Sequence, residues 1–194
     1  MSLLDVKHTG LFRVDLLRVV SDIDHKAIAE YTLEHRKKWD RYTTYHDKKL
    51  NLDWQAGLPD KEKFEADIYA AGKEFIRRTG RRPFEGKAFM YYWCSVYQEG
   101  DHHGSHNHPN SLIAGTYYAQ VVADSSSITL EAPWKNHIMH DTLPFKESTY
   151  PYKPNAGDML LWPSWLDHRV NPQVKTDNPR IAISFNLDYA KYHD

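Results

Sequence analysis

Four of the chain's twelve histidines fall between His102 and His108. His106 and His108 stand one residue apart, in Gly104-Ser-His-Asn-His-Pro109. On an extended strand, residues i and i+2 project from the same face, so both imidazoles can reach one metal ion without backbone strain. A third donor must come from elsewhere. His168 is the candidate, because it follows closely on the hydrophobic run Met159-Leu-Leu-Trp-Pro163. Two close donors and one distant donor on β-structure make a facial triad with open coordination positions. The competing reading is a solvated loop, an adventitious metal patch or part of a hydrogen-bonded core.

Twelve residues beyond His168 comes Arg180-Ile-Ala-Ile-Ser184-Phe-Asn186. On a strand, Arg180, Ala182 and Ser184 share a face. A guanidinium and a hydroxyl, with a small residue between them, can receive a carboxylate through two parallel hydrogen bonds. A buried arginine needs such a partner. An ordinary salt bridge to Asp or Glu would also satisfy it.

These residues need elements to hold them. The alternation of Phe12, Val14 and Leu16 with Arg13 and Asp15 predicts a first strand over Leu11–Leu17. Ile28, Tyr31, His35, Trp39 and Tyr42 form one apolar stripe, which predicts a helix over Asp24–Tyr42 capped by Asp22 or Asp24. Phe64, Ile68, Ala71 and Phe75 predict a second helix over Asp60–Thr79, closed by Gly80. Between the helices, Thr43–Pro59 is polar and reads as a loop. From Lys87 onward the composition changes. Ala88–Gln98, Leu112–Val122, Ile128–Glu131, Asp158–Trp162 and Arg180–Tyr189 are rich in β-branched and aromatic residues, each bounded by turn formers. Successive strands without intervening helices predict an antiparallel sandwich or barrel.

Composition narrows the function classes. A chain of 194 residues with 41% hydrophobic content is long enough for one ordinary domain with a sizeable core. The net charge of -1 provides no basic field for nucleic acid or an anionic membrane. One cysteine, Cys94, excludes a disulfide framework and a Cys-rich zinc module. It reads as a small buried apolar residue. No run approaches the roughly 20 apolar residues of a membrane span, and the charged start is not that of a signal peptide. The expectation is a cytoplasmic protein, of a bacterium or of a phage-infected host. An exposed strand edge would allow a homodimer.

The spacing of these residues resembles that of the Fe(II)- and 2-oxoglutarate-dependent oxygenases of prolyl-hydroxylase-like kind. It is nearest to the 2OG-Fe(II) oxygenase subfamily known mostly from marine bacteria and their phages. That pattern runs Tyr-x-x-Gly-x-x-aromatic-x-x-His-x-Asp, then a strand with a Tyr-Tyr pair, then a distal His, an Arg or Lys, and a Ser or Thr. Tyr97, Gly100, His103, His106 and His108 fall on its first part, Tyr117 and Tyr118 on the pair, and His168, Arg180 and Ser184 on its last part. The likeness spans about Lys87 to Tyr189. It implies a double-stranded β-helix (jelly-roll) core over 87–190, supported by two helices within 1–86, in one domain. It implies iron held by His106, His108 and His168. It also implies 2-oxoglutarate bound by Arg180 with help from Ser184, Tyr118 and Tyr97, O2 as the second co-substrate, and succinate and CO2 as products. The substrate would be a peptide, hydroxylated at proline or elsewhere, or a small amino-acid-like molecule. One position departs: His108 stands where the family usually has a carboxylate, and Asp101, Glu131 and Asp167 lack the spacing to replace it.

Two other readings stay open. A cupin-like three-histidine iron dioxygenase without 2-oxoglutarate would also carry His-x-His and a distant His, although Arg180 and Ser184 argue against it. A non-catalytic barrel would keep the histidines as structure. Tyr92, Trp93, Tyr117, Trp162 and Trp165 could wall a dry pocket, or be plain core. His103 would line that pocket and His102 would be solvated. His137 and His140 would lie on a loop over the barrel mouth. Arg77, Arg78, Arg81 and Arg82 read as positive charge complementing a helix C-terminus.

Overall fold

The computed structural model describes residues 14–83, 88–121, 125–133 and 149–189. In chain order its elements are β1 (Leu17–Val20), α1 (His25–Arg36), α2 (Lys48–Ala56), α3 (Lys61–Thr79), β2 (Ala88–Tyr97), β3 (His103–His106), β4 (Ile113–Gln120), β5 (Ile128–Glu131), β6 (Thr149–Tyr152), β7 (Asp158–Pro163), β8 (His168–Val170) and β9 (Arg180–Tyr189). They form a five-stranded sheet, β1-β7-β4-β9-β2, and a four-stranded sheet, β3-β8-β5-β6. Every pairing is antiparallel. This is the double-stranded β-helix that the sequence predicts.

The period-two pattern of β9 shows how the layers are assigned. Ile181, Ile183, Phe185 and Leu187 are fully buried against the helices. Arg180, Ala182 and Ser184, on the alternate face, line a cavity between the sheets. The larger core therefore joins helices to sheet: Ile28, Trp54, Phe64, Ile68 and Phe75 meet Tyr92, Cys94, Tyr117 and the odd-numbered residues of β9. A second cluster, with Tyr118, Leu160, Trp162, Ile128 and Val170, fills the space between the sheets. Cys94 is fully buried in the first cluster, and burial pushes its thiol far above the usual range.

The helical layer differs from expectation in three places. α1 stops at Arg36, six residues before Tyr42, and not at the end of the apolar stripe. The Arg36 guanidinium donates to the Trp39 carbonyl (2.7 Å), turning the chain, while the Trp39 indole reaches back to His35 (3.1 Å). Trp39 thus keeps its burial outside the helix. The Thr43–Pro59 segment contains α2, making three helices where two were expected. Its cap is Asp47, which accepts from the Leu50 N–H at 2.9 Å. Hydrogen bonds hold it in place: Asn51 and Gln55 both donate to the Tyr92 carbonyl, at 3.0 and 2.8 Å. Together with a Thr43–Ser95 bridge, they cover part of the outer edge of β2. The first strand is Leu17–Val20 rather than Leu11–Leu17. Arg18 fixes its register on β7 by bonding Asp158 (2.9 and 2.7 Å). Residues Leu11, Phe12 and Arg13 lie outside the described residues, as does Val122.

Other expectations are met. Asp24 caps α1 through the Lys26 and Ala27 N–H groups, and Gly80 closes α3 at φ 67°. Arg77 and Arg78 at the end of α3 pair with Glu74. Among the described residues, no helix is long and apolar enough to cross a membrane.

Candidate functional site

Strand register lays out the inner face of the large sheet as rungs. Trp162, Ala114, Asn186 and Tyr91 occupy the first, and Leu160, Thr116, Ser184 and Trp93 the second. Tyr118, Ala182 and Ser95 make the third, and Arg180 pairs with Tyr97 at the far end. The small sheet supplies the opposite wall, with His106 paired to His168 and His103 to Val170.

Between those two pairs β3 carries one residue more than β8, a bulge. On a regular strand His103 and His106 would point to opposite faces. The extra residue turns both into the cavity, where their rings stack at 4.1 Å. His108 lies beyond the strand, whereas the i, i+2 spacing predicts it on the strand beside His106. Its N–H bonds the Ser164 carbonyl at 2.9 Å, and this contact with the loop after β7 brings its ring inward. His102 is exposed.

His106, His108 and His168 each offer a nitrogen, and these nitrogens lie within 4.8 Å of one another. The Nδ1 atoms of His106 and His168 face the Gly104 and Leu166 carbonyls, at 2.8 and 2.9 Å. A carbonyl only accepts, so each Nδ1 carries the proton and each Nε2 keeps a lone pair for the cavity. Burial, and then the neighbouring His106, pushes His168 down to about 3 and His108 down to about 4. Burial and the other histidines likewise hold His103 at about 4. His108 and His168 are therefore neutral at pH 7, the form that binds metals. The Nε2 atoms of His108 and His168 are 3.2 Å apart. Two bare lone pairs at that separation repel, so a proton or a cation must sit between them. Donors bound at right angles at about 2.1 Å would be about 3 Å apart, so the pair fits a metal.

Two indoles brace the rings. Trp93 stacks on His108 (5.8 Å), and the edge of Trp162 meets His168 (4.9 Å). The nearby carboxylates are committed elsewhere. Asp101 accepts from the Gln98 N–H, Asp167 from Asn107, and Glu131 pairs with Arg169.

Arg180 occupies the other end and is 1% exposed. Its guanidinium lies 5.2 Å from the ring centres of both Tyr97 and Tyr118. One amino group donates to the Ser126 carbonyl (2.7 Å) and hydroxyl (3.3 Å). Among the described residues, its Nε is buried without a partner, as are the Tyr118 hydroxyl and the Trp162 N–H. Among the described residues, no carboxylate pairs with Arg180. Burial raises the Tyr97 hydroxyl to about 12, Arg180 partly opposing it, and raises that of Tyr118 further. Both phenols remain donors.

Ser184 faces the cavity but bonds Thr116 (3.3 Å), in the middle of the inner face rather than beside Arg180. Thr116 was missed, although it lies two residues before Tyr118 and so shares its face. Ser126 was missed because a loop serine carries no periodic signal. Of the proposed aromatic walls, Trp93 and Trp162 line the cavity. Tyr92 and Tyr117 face the helices, and Trp165 is exposed. Tyr45, in the segment read as a loop, packs on Trp93 at 4.9 Å. His137 and His140 lie outside the described residues.

A jelly roll with a three-imidazole cluster and a buried arginine that meets no carboxylate among the described residues, both on one cavity, defines a class of protein, and family comparison gives its name. Residues 91–186, about half of the chain, match the family model described as "Putative 2OG-Fe(II) oxygenase", and the chain belongs to this family. A PKHD-type hydroxylase of Colwellia psychrerythraea is 25% identical over 137 residues, covering 71% of this chain and 59% of that protein. The chain thus spans less than two thirds of that relative's length. Two solved structures share the fold. A prolyl-4-hydroxylase of Pseudomonas putida superposes with a TM-score of 0.56 at 10% identity, covering 90% of this chain and 92% of the other. The non-heme alpha ketoglutarate dependent carbocyclase SnoK from nogalamycin biosynthesis superposes at 0.60 and 12% identity, covering 90% and 79%.

Proposed function

We propose that the protein is an Fe(II)- and 2-oxoglutarate-dependent oxygenase that hydroxylates a C–H bond. Its substrate is a peptide, with proline one target, or a small amino-acid-like molecule. His106, His108 and His168 hold the iron, and Arg180, flanked by Tyr97 and Tyr118, takes the distal carboxylate of 2-oxoglutarate. The bound iron and co-substrate supply O2 activation coupled to release of succinate and CO2. The chain supplies geometry. The carbonyls of Gly104 and Leu166 hold two imidazoles in the metal-binding tautomer. Ser126 occupies one side of the guanidinium and leaves Nε for the ligand. Ser184 and Thr116 line the path between the two ends. Trp93 and Trp162 keep water from the metal side.

The observation that carries this reading is Arg180. A guanidinium this buried, with Nε unpaired and no carboxylate partner among the described residues, supports a site for an anion from outside the chain. The iron-only dioxygenase reading leaves that charge unexplained. The continuous core between helices and large sheet supports reading 1–194 as one domain.

The test is an anaerobic titration with Fe(II) and 2-oxoglutarate, following the visible charge-transfer band of the chelated co-substrate. The expected result is a band in wild type, weakened in Arg180→Ala and lost with iron binding in His108→Ala. Iron bound without a band would favour the three-histidine dioxygenase. No stoichiometric iron would leave a ligand-binding barrel.

A further inference from the structure

Gln173 follows β8 and is 3% exposed. Its backbone is tied in both directions to the turn that leads into β3. The Gln173 N–H donates to the Asp101 carbonyl, and its carbonyl accepts from the Gly100 N–H, both at 2.9 Å. Its side chain turns the other way. Oε1 accepts from the Ser126 hydroxyl (3.1 Å), the Ser126 N–H (3.4 Å) and the Ser125 hydroxyl (3.4 Å). The Ser126 N–H can only donate, and this fixes which end of the carboxamide faces the serines. Nε2 is left buried without a partner among the described residues.

We infer that Gln173 is a positioning residue for Arg180, acting through the hydroxyl of Ser126. A serine hydroxyl has one hydrogen and rotates to suit its neighbours. Because Oε1 can only accept, it draws that hydrogen toward itself. The Ser126 oxygen then turns its lone pairs to Arg180, where the guanidinium donates at 3.3 Å. The chain of donors runs one way: Arg180 to Ser126 to Gln173. It holds one amino group of the guanidinium and aims the rest at the cavity. A buried carboxamide that leaves its own N–H unpaired is a poor device for stability. Its orientation suits the fixing of another group. Through its backbone, the same residue ties the arginine end of the cavity to the strand that carries His106.

The inference rests on the reading of Arg180 as the carboxylate receptor, and the experiment separates the two. Calorimetry would measure 2-oxoglutarate binding to the full chain, loaded anaerobically with Fe(II). Gln173→Met keeps the length and removes the acceptor. Its Kd for 2-oxoglutarate is expected to rise about tenfold with Fe(II) affinity near wild type, while the melting temperature falls but stays above the temperature of the titration. Ser126→Ala is expected to do the same, and the double variant to be no worse than either single one, since both break one relay. Wild-type affinity in Gln173→Met, or effects that multiply in the double variant, would overturn the relay. Should Gln173→Met not fold, Ser126→Ala decides alone, and unchanged affinity there overturns it. If wild-type binding does not depend on Arg180, measured in Arg180→Ala, the site reading falls and takes the relay with it.

Discussion

A buried hydroxyl without a partner costs stability, so its presence in a packed interior points to a missing ligand. Tyr118, whose hydroxyl has no partner among the described residues, is such a group. Tyr118→Phe keeps the ring against Arg180 and removes the unpaired oxygen. Stability in urea should be unchanged or about 1 kcal/mol higher, while calorimetry should show 2-oxoglutarate binding weakened about tenfold. A simple packing role predicts no such split. The period of a strand was enough to put Arg180, Ala182 and Ser184 on one face, and the register of β9 places all three on the cavity side. Sequence pattern also named the three imidazoles. It did not reach the way they are held: His108 depends on the Ser164 carbonyl, and His103 faces the cavity through a bulge. Both are tertiary effects that leave no mark on local spacing. Ser126 and Gln173 lie in irregular segments, where only the folded chain shows what they touch.

At the scale of elements, the inner and outer faces of the large sheet make different demands. Gly115 sits in β4, where an added Cβ would fall 2.3 Å from the Phe185 ring and 2.6 Å from the Leu160 carbonyl. Gly115→Ala should cost about 2 kcal/mol or more in a urea titration, since packed rings and a strand backbone must both move. Asp158 ties β1 to β7. Burial alone would raise its carboxyl, but bonds from Arg18, the Asn155 N–H and Tyr152 hold it below its ordinary 3.8. A lowered value in the folded state means the stabilisation is present above the unfolded value and fades as pH falls through the folded one. The advantage of wild type over Asp158→Asn should thus be full at pH 7 and shrink below about pH 4, read from urea midpoints. Long, strongly patterned strands such as β2, β4 and β9 were legible in the sequence. β5, with only four residues, was legible from its β-branched composition, whereas β6, which contains Pro151, and β8, with three residues, were not. α2 escaped because its apolar anchor is small, Trp54 with Leu50, and Asn51 and Gln55 add hydrogen bonds that leave no periodic signal.

For the whole molecule, the three imidazoles come from β3, the segment after it and β8, so a bound ion links distant parts of the chain. Fe(II) under anaerobic conditions, at 100 times its Kd, should add about 2.7 kcal/mol of stability. That raises the melting temperature by roughly 5–10 °C. Chelator should reverse the shift, and His168→Ala should show none. Cys94 offers a second way to follow the same equilibrium. It is the only thiol of the chain, fully buried where helices meet sheet. A thiol reagent cannot reach it in the closed molecule, so the native protein should react only as fast as that core opens. The protein thus carries a built-in unfolding clock that needs no engineered label. The clock should slow on adding iron, by the factor by which iron depletes the open state.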